Sequence, residues 1–229
     1  MKQVNLLLLA AVVVFLVTTT SCGPSKAQIE AEIRAVEEQK TQEAFDTAKK
    51  AFTSLCEAND IVVSVMNSIY GAWYFGIYKA DDSSSTTIII NLAKEVALSE
   101  SELNAGVTSM ASRLSVKEST LKYAMNKGVG DSKAWEYCLY AVNESYIVNG
   151  SFDKIQTNIN IANAALKTMT NDFDDYKHYP TLKELYAKIS AYYVFAQSPS
   201  GSFQQLKDTI NGYENDIRTL ISDLSFVFE

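Results

Sequence analysis

Apolar positions recur every three or four residues along nearly the whole chain, the spacing of one helix face rather than of a strand. Between residues 26 and 80 they are Ile29, Ile33, Val36, then Ala44, Ala48, Phe52, Leu55, Val62, Met66, Ile69 and Trp73, with no proline and no glycine before Gly71. This pattern predicts one very long helix, or two collinear ones broken near Asn59 and Asp60. Unbroken, it would be roughly 80 Å long. Its first third is charged and thinly apolar (Glu30, Glu32, Glu37, Glu38, Lys40) and reads as a helical stalk. Residues 61–78 then carry no charge in 18 positions. A membrane span is one reading, but Ser64, Asn67, Ser68, Gly71 and Gly76 dilute the stretch. A helix apolar on all sides is more often buried in a bundle, and burial is the favoured reading.

Asp81 to Ser85 form a short polar loop, after which Ile89, Leu92, Val96, Leu103, Val107, Met110 and Leu114 keep helical spacing. Ser99-x-x-Glu102 and Ser115-x-x-Glu118 read as capping boxes that divide this region into two or three helices. Lys127-Gly128-Val129-Gly130-Asp131 is the clearest break. The last hundred residues predict four more helices. The first carries Trp135, Leu139, Val142 and Tyr146 and stops at Asn149-Gly150. The second runs from Phe152 through Ile155, Ile159, Ala162, Leu166, Met169 and Phe173 to Tyr176, with Pro180 as its break. A third is capped by Thr181-x-x-Glu184 and contains Leu185, Ile189, Tyr192 and Phe195. The fourth follows Ser198-Pro199-Ser200-Gly201 and carries Phe203, Leu206, Ile210, Tyr213, Ile217, Leu220, Leu224 and Val227. The second and fourth match at an offset of 51 residues and both begin Gly-Ser-Phe. An internal duplication is one explanation; a shared apolar seam near 3.5 residues is the simpler one. The expected fold is all-α: a long N-terminal helix followed by an antiparallel bundle of five to seven helices with coiled-coil-like seams.

The N-terminus carries an address. Lys2 gives a positive start, residues 4–17 are apolar except Asn5, and Thr18-Thr19-Thr20-Ser21 lead into Cys22-Gly23. That is the layout of a secretory signal peptide. Ser21, Cys22 and Gly23 resemble the lipobox of bacterial lipoproteins, with Thr19 standing where such signals usually carry an aliphatic residue. The resemblance implies that Cys22 is lipidated and becomes the new N-terminus, holding the mature chain on a bacterial membrane. A simply cleaved signal, or an uncleaved anchor, are the rival readings; the apolar run of about 14 residues is short for a span of roughly 20. The expected organisation is a signal peptide over 1–21, a lipidated N-terminus and stalk over 22–60, and a bundle over 61–229, with a sub-boundary at 127–131.

Composition narrows the function. The formal net charge is −7, and loss of Lys2 leaves the mature part at −8. An acidic domain argues against nucleic acid and against electrostatic attachment to anionic lipid. With Cys22 lipidated, Cys56 and Cys138 remain. Outside the cytosol they could form a disulfide, worth about 4 kcal/mol in the chain-entropy model. Equally, they are two buried thiols that never meet.

Candidate chemistry is sparse. His178, the only histidine, lies near Asp172, Asp174 and Asp175. One imidazole without a matching His or Cys is poor material for a metal, and a polar residue at a helix end explains it better. No Gly-x-Ser-x-Gly elbow and no phosphate-cradling loop occurs. Residues 110–128 resemble a helix-turn-helix, with Ala111, Leu114 and Val116 packing the turn, but export and acidity oppose DNA binding. Aromatics are the enriched class, with 13 Tyr, 10 Phe and 2 Trp. Tyr70, Tyr74 and Tyr78 fall at i, i+4 and i+8 with Trp73 beside them, and core packing is the favoured explanation. The sequence therefore predicts no enzyme, no cofactor and no metal. The first expectation is a membrane-tethered module that holds an envelope protein. A binding protein for a small apolar or sugar-like ligand, with a pocket lined by Tyr70, Trp73, Tyr74 and Trp135, is the second. A membrane-inserting protein using residues 61–78 is the third.

Overall fold

A computed structural model describes residues 25–80, 84–126 and 134–228; the signal peptide, Cys22 and the 127–131 break lie outside the described residues. Eight helices, and no strand, occur among them: α1 (Lys26–Tyr78), α2 (Ile88–Ala93), α3 (Glu100–Leu114), α4 (Glu118–Met125), α5 (Ala134–Val148), α6 (Ser151–Asp172), α7 (Tyr179–Gln197) and α8 (Phe203–Phe228). The chain divides into two compact units, Met1–Asp46 and Thr47–Glu229.

The described part of the first unit is helix. Ser25 and Gln28 form a reciprocal cap, the Ser25 N–H donating to Gln28 Oε1 (2.8 Å) and the Gln28 N–H to Ser25 Oγ (3.3 Å). Exposed side chains pair one turn apart, Gln39 with Glu43 and Gln42 with Asp46, both at 2.8 Å. Ile29, Ile33 and Val36 are exposed. The exposed stretch ends sooner than the expected stalk over 22–60. Ala48, Ala51, Phe52, Leu55 and Ala58 are buried and belong to the second unit. Small alanines at helical spacing make a face that neighbouring helices approach closely, a weak hydrophobic signal with a strong packing consequence.

Helix α1 is continuous through Asn59 and Asp60, so no break divides it. In the second unit it forms the central element. Val62, Val65, Met66, Ile69, Ala72, Trp73 and Phe75 are buried. By length and composition α1 is the one helix among the described residues that could cross a membrane. Ser68, Gly71 and Gly76, which dilute its hydrophobicity, have structural work. Ser68 Oγ shares a 2.7 Å hydrogen bond with the Tyr146 hydroxyl and accepts the Ala97 N–H at 2.9 Å. The Ser64 carbonyl accepts from Tyr146 Oη at 3.3 Å. A side chain at Gly71 would run into the Glu95 carbonyl oxygen.

Ring pairs fix the topology. Trp73 meets Trp135 while Ser68 meets Tyr146, so α1 and α5 are antiparallel. Tyr70 meets Phe203 and Phe52 meets Phe228, which makes α1 and α8 antiparallel too. Phe152–Tyr193 and Tyr192–Tyr213 do the same for the α6–α7 and α7–α8 hairpins. Helices α3 and α5 come close because Gly106 lacks a side chain; a Cβ there would lie 2.6 Å from the Ala141 carbonyl oxygen.

Two expected caps move. Ser99 and Glu102 form the capping box as read. Ser115, however, takes the left-handed conformation (φ 55°) and closes α3, the Val116 N–H reaching the Ala111 carbonyl at 3.0 Å. Lys117 then precedes α4. Likewise α7 begins at Tyr179, with Pro180 in its first turn and His178 as N-cap, so Thr181 caps nothing and Pro180 opens a helix. Proline suits a first turn because its missing N–H would have no partner there. Because α6 ends at Asp172, Asp174 and His178 share no helix face.

Candidate functional site

The aromatic residues singled out by sequence are drawn together, around a residue the sequence reading left in a seam. Tyr70 stacks on Phe203 (centroids 4.9 Å apart, planes 21°), and Trp73, Tyr74 and Tyr78 meet the same ring at 6.4, 6.5 and 6.2 Å. Phe203 is placed by the start of α8. Ser202 caps that helix, its N–H donating to Gln205 Oε1 (2.7 Å) and its Oγ accepting from the Gln205 N–H (3.2 Å). Gly201, with φ 108°, supplies the turn before it. Lys79 lies 5.2 Å above the Tyr74 ring and pairs with Glu95 at 2.6 Å. The Glu95 carboxylate holds the Lys79 ammonium above its ordinary pKa. Tyr70, Tyr74 and Phe203 thus cover one another, and Tyr78 stays exposed.

Trp73 also stacks on Trp135 of α5. Their planes are 5° from parallel with centroids 4.7 Å apart. Beside them is a cavity of about 240 Å³, walled by Ile69, by Leu139, Tyr140 and Asn143 of α5, and by residues 197–201. Glu136 borders it and has no ion-pair partner among the described residues. The Asn143 Nδ2 donates to the Gln197 carbonyl at 3.4 Å, which assigns nitrogen to that side of the amide. Its Oδ1 is buried without a donor.

On the other flank of Tyr140 and Asn143 runs a groove of about 710 Å³ between α3 and α5. Arg113 and Leu114 form one side, and Tyr137, Tyr140 and Ile147 the other. At its floor Glu144 is buried, accepting from Ser109 Oγ (2.8 Å) and Arg113 Nη2 (3.1 Å). Tyr140 (51%), Ile147 (52%), Val148 (50%) and Leu114 (45%) are exposed. Sequence reading missed this surface. Its signal was present: once Trp135, Leu139, Val142 and Tyr146 are assigned to the core, α5 still carries apolar residues on its other side.

The remaining candidates separate. Cys56 is half-buried on α1 and Cys138 is buried on α5, and no disulfide joins them. The facing pairs Trp73–Trp135 and Ser68–Tyr146 put Cys138 near the level of Gly71. Cys56 is about fifteen residues away along α1, roughly 22 Å, against the ~7 Å that a disulfide spans. Burial pushes the Cys138 thiol up to about 12. His178 packs its ring against Tyr176 and Phe228, at 5.8 and 6.5 Å. Among the described residues no group of three His, Cys, Asp or Glu is placed to hold a metal. Leu114 and Val116 are exposed, so they do not pack the turn of a helix-turn-helix.

The chain matches no protein-family model, no curated protein and no solved structure.

Proposed function

We propose that this chain is a non-catalytic interaction module, exported and lipid-anchored to a bacterial membrane at Cys22, that holds an envelope protein on the outer face of α5. The observation that carries the reading is the exposed pair Tyr140 and Ile147 facing Leu114 across the α3–α5 groove, with exposed Val148 beside them on α5. These side chains lie off the core seam, so the fold alone does not account for them. Tyrosine and arginine are the residue types that most often dominate binding energy at interfaces. The groove offers Tyr137, Tyr140 and Arg113 around a fixed carboxylate. Over residues 136–147 it extends about 17 Å along α5, enough for some three turns of a partner helix.

Site-specific photocrosslinking tests the reading. A photoreactive residue at Tyr140 or Ile147 should give one discrete protein adduct on intact cells, and one at Thr168 of α6 should give none. No adduct from α5, or the same adducts from both helices, would contradict it. A mature mass starting at Cys22 plus acyl chains is the parallel expectation for the tether.

A second reading has its own observation. The cavity beside Trp73 and Trp135 could take a small ligand against an indole surface. Membrane insertion of residues 61–78 has less support, because that stretch supplies much of the buried core.

A further inference from the structure

The cavity beside the tryptophan pair has a one-sided chemistry. It lies between α1 and α5 under residues 197–201 and holds about 240 Å³. Among the described residues Glu136 is the one charged residue that lines it, and no Lys, Arg or His does. The Asn143 amide turns its nitrogen to the Gln197 carbonyl, and its oxygen is closed off from solvent. Ile69, Trp73 and Leu139 are buried in its wall, and the half-buried Trp135 presents the more accessible indole. One negative charge beside an electron-rich ring disfavours an anion and suits a cation with a small carbon surface. The net charge of −7 favours the approach of a cation over the whole surface as well.

We propose that this cavity binds an organic ammonium group, with the charge held at Glu136 and its carbon substituents against Trp135. The inference rests on the ligand-pocket reading; Glu136, Tyr140 and Asn143 also border the α3–α5 groove. A volume of about 240 Å³ admits a headgroup-sized amine such as choline or ethanolamine and excludes a bulky polycation. A free amine and the headgroup of a phosphatidylethanolamine present the same chemistry.

The chain's only two tryptophans are the two at this cavity, so its tryptophan emission reports on this part of the fold. The experiment uses the full-length protein in phosphatidylglycerol nanodiscs, titrated with choline chloride and ethanolamine against sodium chloride at equal ionic strength. A second arm compares these discs with discs containing phosphatidylethanolamine, and a third titrates glucose. The expected result is a saturable emission change with the amines. Glu136→Gln should weaken it about tenfold, and Glu184→Gln, an exposed carboxylate on α7, should leave it unchanged. Circular dichroism melting checks that both variants fold. A response only in the phosphatidylethanolamine discs would uphold the ammonium and assign it to a lipid. A glucose response without an amine response would keep the pocket and overturn the ammonium. No saturable response in any arm, or an amine response indifferent to Glu136→Gln, would overturn the site.

Discussion

The backbone of Trp135 passes so close to Gly76 that a Cβ on the glycine would lie 2.5 Å from the Trp135 Cα. This approach brings α5 onto α1 and lets the Trp73 and Trp135 rings stack at 4.7 Å. Gly76→Ala must push the two backbones apart, since no flexible side chain is there to yield. Overpacking of this kind costs about 1–3 kcal/mol. Urea unfolding should show that loss, and the native tryptophan emission should shift to longer wavelength as the pair loosens. An unchanged midpoint and spectrum would mean that the helices are further apart than described.

Two other glycines should respond to alanine with opposite signs. Gly212 lies in the middle of α8 with nothing within 4 Å of its missing side chain, so Gly212→Ala should stabilise the protein by about 0.5–1 kcal/mol. Gly150 also has open space, but its φ is 76°, where an L side chain is strained. Gly150→Ala should destabilise by about 1 kcal/mol. Thermal melting of the two variants side by side tests the pair.

Acidification should release the cap of α3. The Ser99 backbone N–H, the Ser99 hydroxyl and the Asn149 amide all donate to Glu102, and they hold its carboxyl below the ordinary value. A group whose folded pKa is depressed contributes stability above its unfolded pKa and loses it as pH falls through the folded one. Wild-type stability should therefore drop as pH moves from the ordinary glutamate range near 4.3 to below it. Glu102→Gln should lose part of that slope. Equal slopes in the two proteins would show that the cap is not charged.

The thiols should behave as two separate groups. Cys138 is buried with its pKa raised to about 12, so it is a neutral thiol at pH 8 and resists iodoacetamide until the protein unfolds. The mature chain should also run as a single species with and without reductant. A mass lower by two hydrogens, localised to Cys56 and Cys138, would contradict the separation derived from the helix register.

Periodicity made most of the fold legible. Phe152, Ile155, Ile159, Ala162, Leu166 and Met169 are all buried on α6, as their spacing requires. The boundaries were harder, because a serine or threonine serves several kinds of helix end. Ser115 closes a helix in the left-handed region instead of opening one, and Thr181 stands one residue past a proline already inside the first turn. Gly71 and Gly76 were read as dilution of a hydrophobic segment; they mark where other backbone passes over α1. Such close approach depends on which segments meet, and spacing along one helix does not record that. The aromatic cluster was half legible for the same reason. Tyr70, Trp73, Tyr74 and Tyr78 share a helix and so a visible interval, whereas Phe203 and Asn143 reach the region from distant parts of the chain.

The α5 surface is the centre of the functional account. A native mass spectrum of the protein released gently from its own membranes, run beside a Tyr140→Ala/Ile147→Ala double variant, tests it most directly. The account predicts that both begin at Cys22 plus acyl chains, and that the wild type carries a bound polypeptide that the variant has lost. A bare monomer in both samples, or a polypeptide retained by the variant, would contradict it.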